Sequence, residues 1–381
     1  MKRTASLFAA GLSIQQALAQ VNVPPAFEVG VKWQIIIQNT IDIKAPLQPS
    51  DAVVWDLDLY HVARNPGIVE YLRTNVPNAI LVCYFNAGLA QESDCDYDSR
   101  WRNSGLLGNV YDPDEPEFSD ERWINIKNQT ARDWIKRRIT LANDLGCDAV
   151  DPDNIDGYLN DEDGANGTGW NLAEADYVAF VTDMAAHAHA LTTKRGFTLL
   201  IGQKNAPELV GPVGGLLDFA VLEDCKTLND DEDFTFCRDF QPYVAAGKPV
   251  FSIEYPSTLG NAETGACSAT GASDAQYAAS CDTSQGNAGF STALKIQGGV
   301  GELNGCTQYC SGEAPGTGVV VTATDPELDG SPCPPEASIR ILPTVFSFFE
   351  VGIPLRATLR TEFGIKEPKQ PADKEAETWS H

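Results

Sequence analysis

Short apolar runs recur along the chain, separated by longer polar or amphipathic stretches. They read WQIII (Trp33 to Ile37), AVVWDLDL (Ala52 to Leu59), AILVCYF (Ala79 to Phe85) and CDAVDPD (Cys147 to Asp153). Four more follow: FTLLIGQK (Phe197 to Lys204), DFAVLE (Asp218 to Glu223), PVFSIEY (Pro249 to Tyr255) and STALKI (Ser291 to Ile296). Each is almost continuously apolar and bounded by turn residues, the pattern of a strand buried on both faces of a parallel sheet. Between them the period changes to that of a helix. In Ala131 to Gly146 the apolar positions Trp134, Ile135, Ile139 and Leu141 line one side, and Gly146 is placed to stop the helix. Leu172 to Leu191 reads as a second helix. Eight strand–helix units predict an α/β fold of the (β/α)8, TIM-barrel type. An open dinucleotide-binding sheet fits less well, because no glycine-rich fingerprint follows the first strand.

Composition refines this picture. The first residues have a basic start (Lys2, Arg3), an apolar stretch (Leu7 to Ile14) and an Ala17-Leu18-Ala19 site, so residues 1–19 are expected to be a secretory leader. Ten cysteines suit an oxidising, extracellular setting. Local pairing predicts Cys83 with Cys95, Cys225 with Cys237, Cys267 with Cys281 and Cys306 with Cys310, leaving Cys147 as a free thiol in the core. Asn128-Gln129-Thr130 and Asn166-Gly167-Thr168 are candidate glycan sites. The net charge of −26 argues against a nucleic-acid partner and fits either plain solubility or a cationic partner. No apolar run is long enough to cross a bilayer. The barrel domain is expected over residues 20–310, with 257–289 a long loop. Residues 311–381, rich in glycine and proline and then in charge, are expected to be loosely packed. The chain is expected to act as a monomer, without a cofactor.

In such a barrel the chemistry gathers at the C-terminal ends of the strands, and the carboxylates of this chain gather there too. The second strand ends in Asp56 and Asp58, the fourth in Asp151 and Asp153, the sixth in Glu223 and Asp224, and the seventh in Glu254 and Tyr255. Lys204 ends the fifth. Residues two apart share a face of a strand, so Cys147, Ala149, Asp151 and Asp153 are expected to point inward, with Asp153 highest. Glu223 tops its own strand opposite. Two carboxyls facing each other across a mouth are what glycoside hydrolysis requires. Asp151 could equally be a buried partner of Lys204, and Asp156 a cap or turn residue. Asp148 is expected to point to the helix layer. The four histidines, His61, His187, His189 and His381, provide neither a Ser-His-Asp triad nor a zinc site. The Asp56-Leu57-Asp58 pair is a weak divalent-cation motif, and no metal is expected.

Several motifs together resemble a known family: GCDAVDPDNIDGY, CYFNAG, WINIKN, IGQKN, LEDC and GKPVFSIEY, in order from about Trp33 to Lys295. They are similar to glycoside hydrolase family 114, the endo-α-1,4-polygalactosaminidases. The resemblance implies a barrel and an Asp/Glu pair, carried by motif onto Asp153 of DPDN and Glu223 of LEDC. It implies a secreted fungal-type enzyme and, as partner, a cationic galactosamine polysaccharide such as galactosaminogalactan. Asp56, Asp58, Tyr84, Asp151, Asn154, Asp156, Lys204, Glu254 and Tyr255 are then expected to hold substrate. Departures from the family pattern are Leu222 and Asp224 around Glu223, Ile36 in place of a glutamine, and the tail from 311. A hydrolase for another α-galactoside, or a polysaccharide-binding protein without activity, are the rival readings.

Overall fold

The computed structural model describes residues 21–113, 118–163, 167–226, 235–310, 318–325 and 333. The expected leader and most of the region after 310 lie outside them. Thirteen strands are found among these residues: β1 (Trp33–Ile36), β2 (Val54–Asp58), β3 (Ile80–Asn86), β4 (Leu89–Gln91), β5 (Leu107–Val110), β6 (Glu121–Ile124) and β7 (Ala149–Asp153). Then come β8 (Leu200–Lys204), β9 (Phe219–Glu223), β10 (Val250–Glu254), β11 (Ser291–Leu294), β12 (Cys306–Tyr309) and β13 (Val319–Val321). All eight predicted strands are present. They pair in parallel in the order β1-β2-β3-β7-β8-β9-β10-β11. β12 and β13 then add an antiparallel edge.

The fold is thus a mixed α/β structure around a curled, mostly parallel sheet. The expected closed barrel is qualified at one seam: among the described residues no backbone ladder joins β1 to β11. The carbonyls that such a ladder would use are already taken. Ser291 Oγ donates to Val31 O (2.7 Å), Tyr309 OH to Trp33 O (2.8 Å) and Lys295 Nζ to Ile35 O (2.6 Å).

Alternation sorts the strand residues as period two requires. The inward side chains Trp33, Val54, Val82, Ala149, Phe219, Val221 and Phe251 form one apolar cluster inside the curl. The outward ones, among them Trp55, Leu81, Val150, Ile201 and Leu222, pack on the helices. Gly202 has no alternative in this interior: a Cβ there would lie 2.5 Å from the Phe219 ring. The first predicted helix is Gln129–Leu145, capped by Asn128, whose side chain accepts from the Thr130 N–H at 2.8 Å. Gly146 ends it in the left-handed region (φ 109°), where glycine carries no Cβ penalty. The second is Glu174–His189.

The disulfides correct the sequence expectation. Only Cys225–Cys237 is the local pair foreseen; the others are Cys83–Cys147, Cys95–Cys333, Cys267–Cys306 and Cys281–Cys310. Cys147 is therefore not free, and it does not point inward. It precedes β7 and meets Cys83 of the neighbouring β3 in the outer layer. Parallel topology brings together residues far apart in sequence, so loop length is a poor guide to pairing. Two of these bonds tie the 257–289 stretch, which contains a helix, Asp274–Cys281, to β12 and its end. Residues 318–325, within the stretch expected to be loose, include β13 and the buried Thr322.

Candidate active site

The inward faces of β7, β8 and β9 end in Asp153, Lys204 and Glu223. Lys204 is 1% exposed and lies between the other two: its Nζ is 3.3 Å from Asp153 Oδ2 and 3.1 Å from Glu223 Oε2. Tyr84, at the end of β3, donates its hydroxyl to Asp153 Oδ2 at 2.7 Å, and the Asn154 N–H donates to Asp153 Oδ1 at 2.7 Å. Tyr255, just past β10, donates to Glu223 Oε1 at 2.5 Å. A continuous polar chain, Tyr84–Asp153–Lys204–Glu223–Tyr255, therefore crosses the mouth. Burial alone would drive the Lys204 ammonium down, but Asp153, Glu223 and Asp151 outweigh it and hold it well above the ordinary lysine range. Burial, and next the adjacent carboxylates, push both tyrosine hydroxyls well above their usual range, so they remain donors.

Turns at the strand ends set this geometry. Asn154, Asn205 with Ala206, and Asp224 each follow an inward strand end and have positive φ (56°, 41°, 55° and 53°). The left-handed turn is tolerated best by Asn and Asp. It follows directly on Asp153, Lys204 and Glu223, the last residues of β7, β8 and β9. Asn205 also accepts the Glu223 N–H on its side chain at 2.9 Å, which ties two of these ends together. The glycine of the CYFNAG motif is explained by a close approach: a Cβ on Gly88 would lie 1.8 Å from the Asn154 carbonyl oxygen.

A cavity of about 560 Å³ opens above the chain of polar groups. Tyr84, Asp153, Asn154, Asp156, Lys204 and Glu223 line its floor, and Asp58 lies on one side. Asp58 also caps the following helix by accepting from Tyr60 and His61 N–H. Burial, and then Asp153, raise Asp156 to about 6. Four residues expected to touch substrate do not line this cavity: Asp56, Asp151, Glu254 and Tyr255, the last of which bonds to Glu223 instead. Asp56 (1% exposed) and Asp151 (0%) lie beneath the cavity, with no hydrogen-bond donor on any of their four oxygens. Burial pushes Asp151 up to about 7 despite Lys204 at 4.0 Å. Burial, and next Asp151, push Asp56 well above the carboxylate range. Glu254 is 0% exposed behind the wall, where burial raises it to about 8 against the pull of Lys226. Asp148 faces the helix layer as expected and accepts the Leu81 N–H at 3.1 Å, with Arg73 and Arg195 at 3.3 Å.

One wall was not foreseen. β4, β6 and β5 form a separate antiparallel sheet inserted after β3, in the order β4-β6-β5. It brings Gln91, Glu121 and, after β5, Tyr111 to the cavity. Strands of three or four residues leave almost no periodic signal; the only sequence hint was the alternating end of ERWINI. Beneath this sheet the buried Arg138 pairs with Asp94 (2.8 Å) and Asp96 (2.7 Å) and donates to Asn86 O, fixing the turn after β3.

Residues 13–315 match the model of glycoside-hydrolase family GH114. The chain belongs to that family. The similarity seen in the motifs is thus confirmed by a match over most of the chain, and the GH114 protein is a glycoside hydrolase of the endo-α-1,4-polygalactosaminidase family. Among solved structures it is similar to Aspergillus fumigatus Ega3 in complex with galactosamine, with 29% identity over 76% of this chain and 98% of that one, and a TM-score of 0.58. It is also similar to the glycoside hydrolase domain of PelA from Pseudomonas aeruginosa, with 14% identity over 71% of this chain and 96% of that one, and a TM-score of 0.47. No curated sequence matches the chain. Among the described residues of this GH114 protein no helix is long and apolar enough to cross a membrane.

Proposed function

We propose that this GH114 protein is a secreted endo-acting hydrolase of α-1,4-linked galactosamine polymers that works with retention of configuration. The observation that carries the reading is the single lysine shared by Asp153 and Glu223 at one cavity floor. Family membership and the likeness to a galactosamine-bound relative support the substrate. Asp153 is assigned as nucleophile. All its hydrogen-bond partners donate, which suits a carboxylate that attacks the anomeric carbon. Glu223 is assigned as the acid. It protonates the departing glycosidic oxygen, and after the glycosyl–Asp153 ester forms it takes a proton from the water that hydrolyses it.

Retaining pairs stand about 5–5.5 Å apart and inverting pairs about 6.5–9.5 Å. Asp153 Oδ2 and Glu223 Oε2 both contact one ammonium nitrogen, which keeps these two oxygens near each other and favours the retaining reading. Lys204 would also offset the like charges of the pair. The curled sheet fits a (β/α)8-type barrel with its seam closed by side chains, and the five disulfides fit secretion.

The test is direct. Incubation with a deacetylated α-1,4-galactosamine polymer is expected to release oligosaccharides, and NMR of the first product is expected to show the α-anomer. A β-anomer would replace retention by inversion; an uncut polymer would remove the assignment.

A further inference from the structure

Glu121 is the unassigned group that the cavity places best. It stands on β6 directly opposite Gln91 of β4 in the ladder register. The Gln91 side-chain amide donates to Glu121 Oε1, and the Glu121 side chain lines the cavity. The side chain is 7% exposed. The charged groups that weigh most on it, Asp120, Asp153 and Asp94, are all carboxylates, and among the described residues no ion pair neutralises it. A buried carboxylate without a cation is costly unless a cation arrives or a proton binds. Burial, and next its acidic neighbours, accordingly raise Glu121 to about 8 in spite of Gln91. Burial, and next Asp156, Asp153 and Glu121, raise the Tyr111 hydroxyl, and all four residues line the cavity. Tyr111 and Phe118 close it with edge-to-face rings 5.4 Å apart.

The geometry points to Glu121 as a specificity-determining residue that receives the ammonium group of the sugar whose anomeric carbon Asp153 attacks. This rests on the proposed galactosamine substrate and adds to it the residue that reads the amine. In a 2-amino sugar the nitrogen is one carbon away from the anomeric centre. An ammonium there must sit close to the nucleophile, and Glu121 and Asp156 line the same cavity as Asp153. Asp156 belongs to the inner strand end, whereas Glu121 comes from the inserted sheet. The amine-reading group is therefore supplied by an element separate from the one that carries the nucleophile. An N-acetyl group in the same place would bring a neutral, bulkier substituent against a protonated carboxyl and gain no ion pair.

The test measures binding of an α-1,4-linked galactosamine oligosaccharide by calorimetry at pH 7, in two buffers of different ionisation enthalpy. Glu223→Gln serves as the slow background, and Glu121→Gln is added to it. Because Glu121 is mostly protonated at pH 7, capture of an ammonium should release about one proton per site. The added Glu121→Gln should abolish that release and weaken binding at least about tenfold, the scale of one charge-assisted hydrogen bond. It is isosteric and keeps a partner for Gln91, and because it removes a group whose retained proton costs stability as pH rises, the melting temperature at pH 7 should not fall below that of the background. An N-acetylated oligosaccharide should bind both proteins equally weakly. Proton release or affinity unchanged by Glu121→Gln overturns the assignment, as does tight binding of the N-acetylated chain by the background protein. Failure of the amine chain to bind also overturns it, whereas cleavage of the polymer by the wild-type enzyme reports on the hydrolase reading separately.

Discussion

At the scale of single residues, the site divides into groups that face the cavity and groups that face only one another. Asp153→Asn and Glu223→Gln are expected to lower kcat by at least about 10²–10⁴-fold, the range for a positioned acid, base or nucleophile, while circular dichroism and melting temperature stay close to wild type. Tyr84→Phe and Tyr255→Phe each remove one donor to a reacting carboxylate. Each should cost about 0.5–1.5 kcal/mol of transition-state stabilisation, or about 2- to 12-fold in kcat, with KM little changed. The positions of Asp153 and Glu223 were legible because strand period alone puts both at the top of inward faces. Depth was not legible. Asp56 and Asp151 share the inward pattern, but period two states which face a residue occupies and not how far below the opening it lies. That depends on the tilt and curl of the sheet, which no single strand encodes. Glu254 has the parity of the outward Val250 and so sits behind the wall.

At the scale of elements, the parallel strands and the long helices were readable from their apolar period, and the inserted β4-β6-β5 sheet was not. The segments around it are held by the Arg138 ion pairs and by the Trp101–Trp134 edge contact at 4.5 Å, which are remote in sequence. The turn joining β3 to this sheet allows a sharp test. Gly88→Ala places a methyl group against the Asn154 carbonyl, which must move. Since Asn154 N–H holds Asp153, kcat should fall at least about tenfold, because displacements of the order of 1 Å near the reacting groups cost up to about 10²-fold. Steady-state kinetics at wild-type fold content would check it. At the outer layer, Asn128→Ala removes a helix cap and should destabilise by about 1 kcal/mol. A glycan at the exposed Asn128 would attach through the amide nitrogen and leave the capping oxygen free.

For the whole molecule, the buried carboxylates give stability a pH sign. Asp94 and Asp151 are raised to about 7, and Glu121 and Glu254 to about 8, from ordinary values of 3.8 and 4.5. Burial is the leading cause in every case. The unfolded chain gives up these protons near the ordinary values, and the folded chain keeps them until about 7 to 8. Between those limits the folded state binds more protons, so stability falls as pH rises. The net charge of −26 adds repulsion in the same direction. Melting temperature is therefore expected to be highest on the acid side of this window and to drop towards pH 8. Glu121→Gln should flatten the drop, and a melting temperature that climbs from about pH 5 to pH 8 would contradict this reading. The return of residues 318–325 to the sheet bears on a different matter, where a shortened recombinant chain can be ended. Thr322 accepts from the buried Gln34 at 3.0 Å, and β13 covers the open side of β12. A chain stopped at 310 would strip that side bare and offer unpaired backbone to a second molecule. Light scattering should find it self-associating, whereas a chain ended after Cys333 should keep the size distribution of the full-length protein.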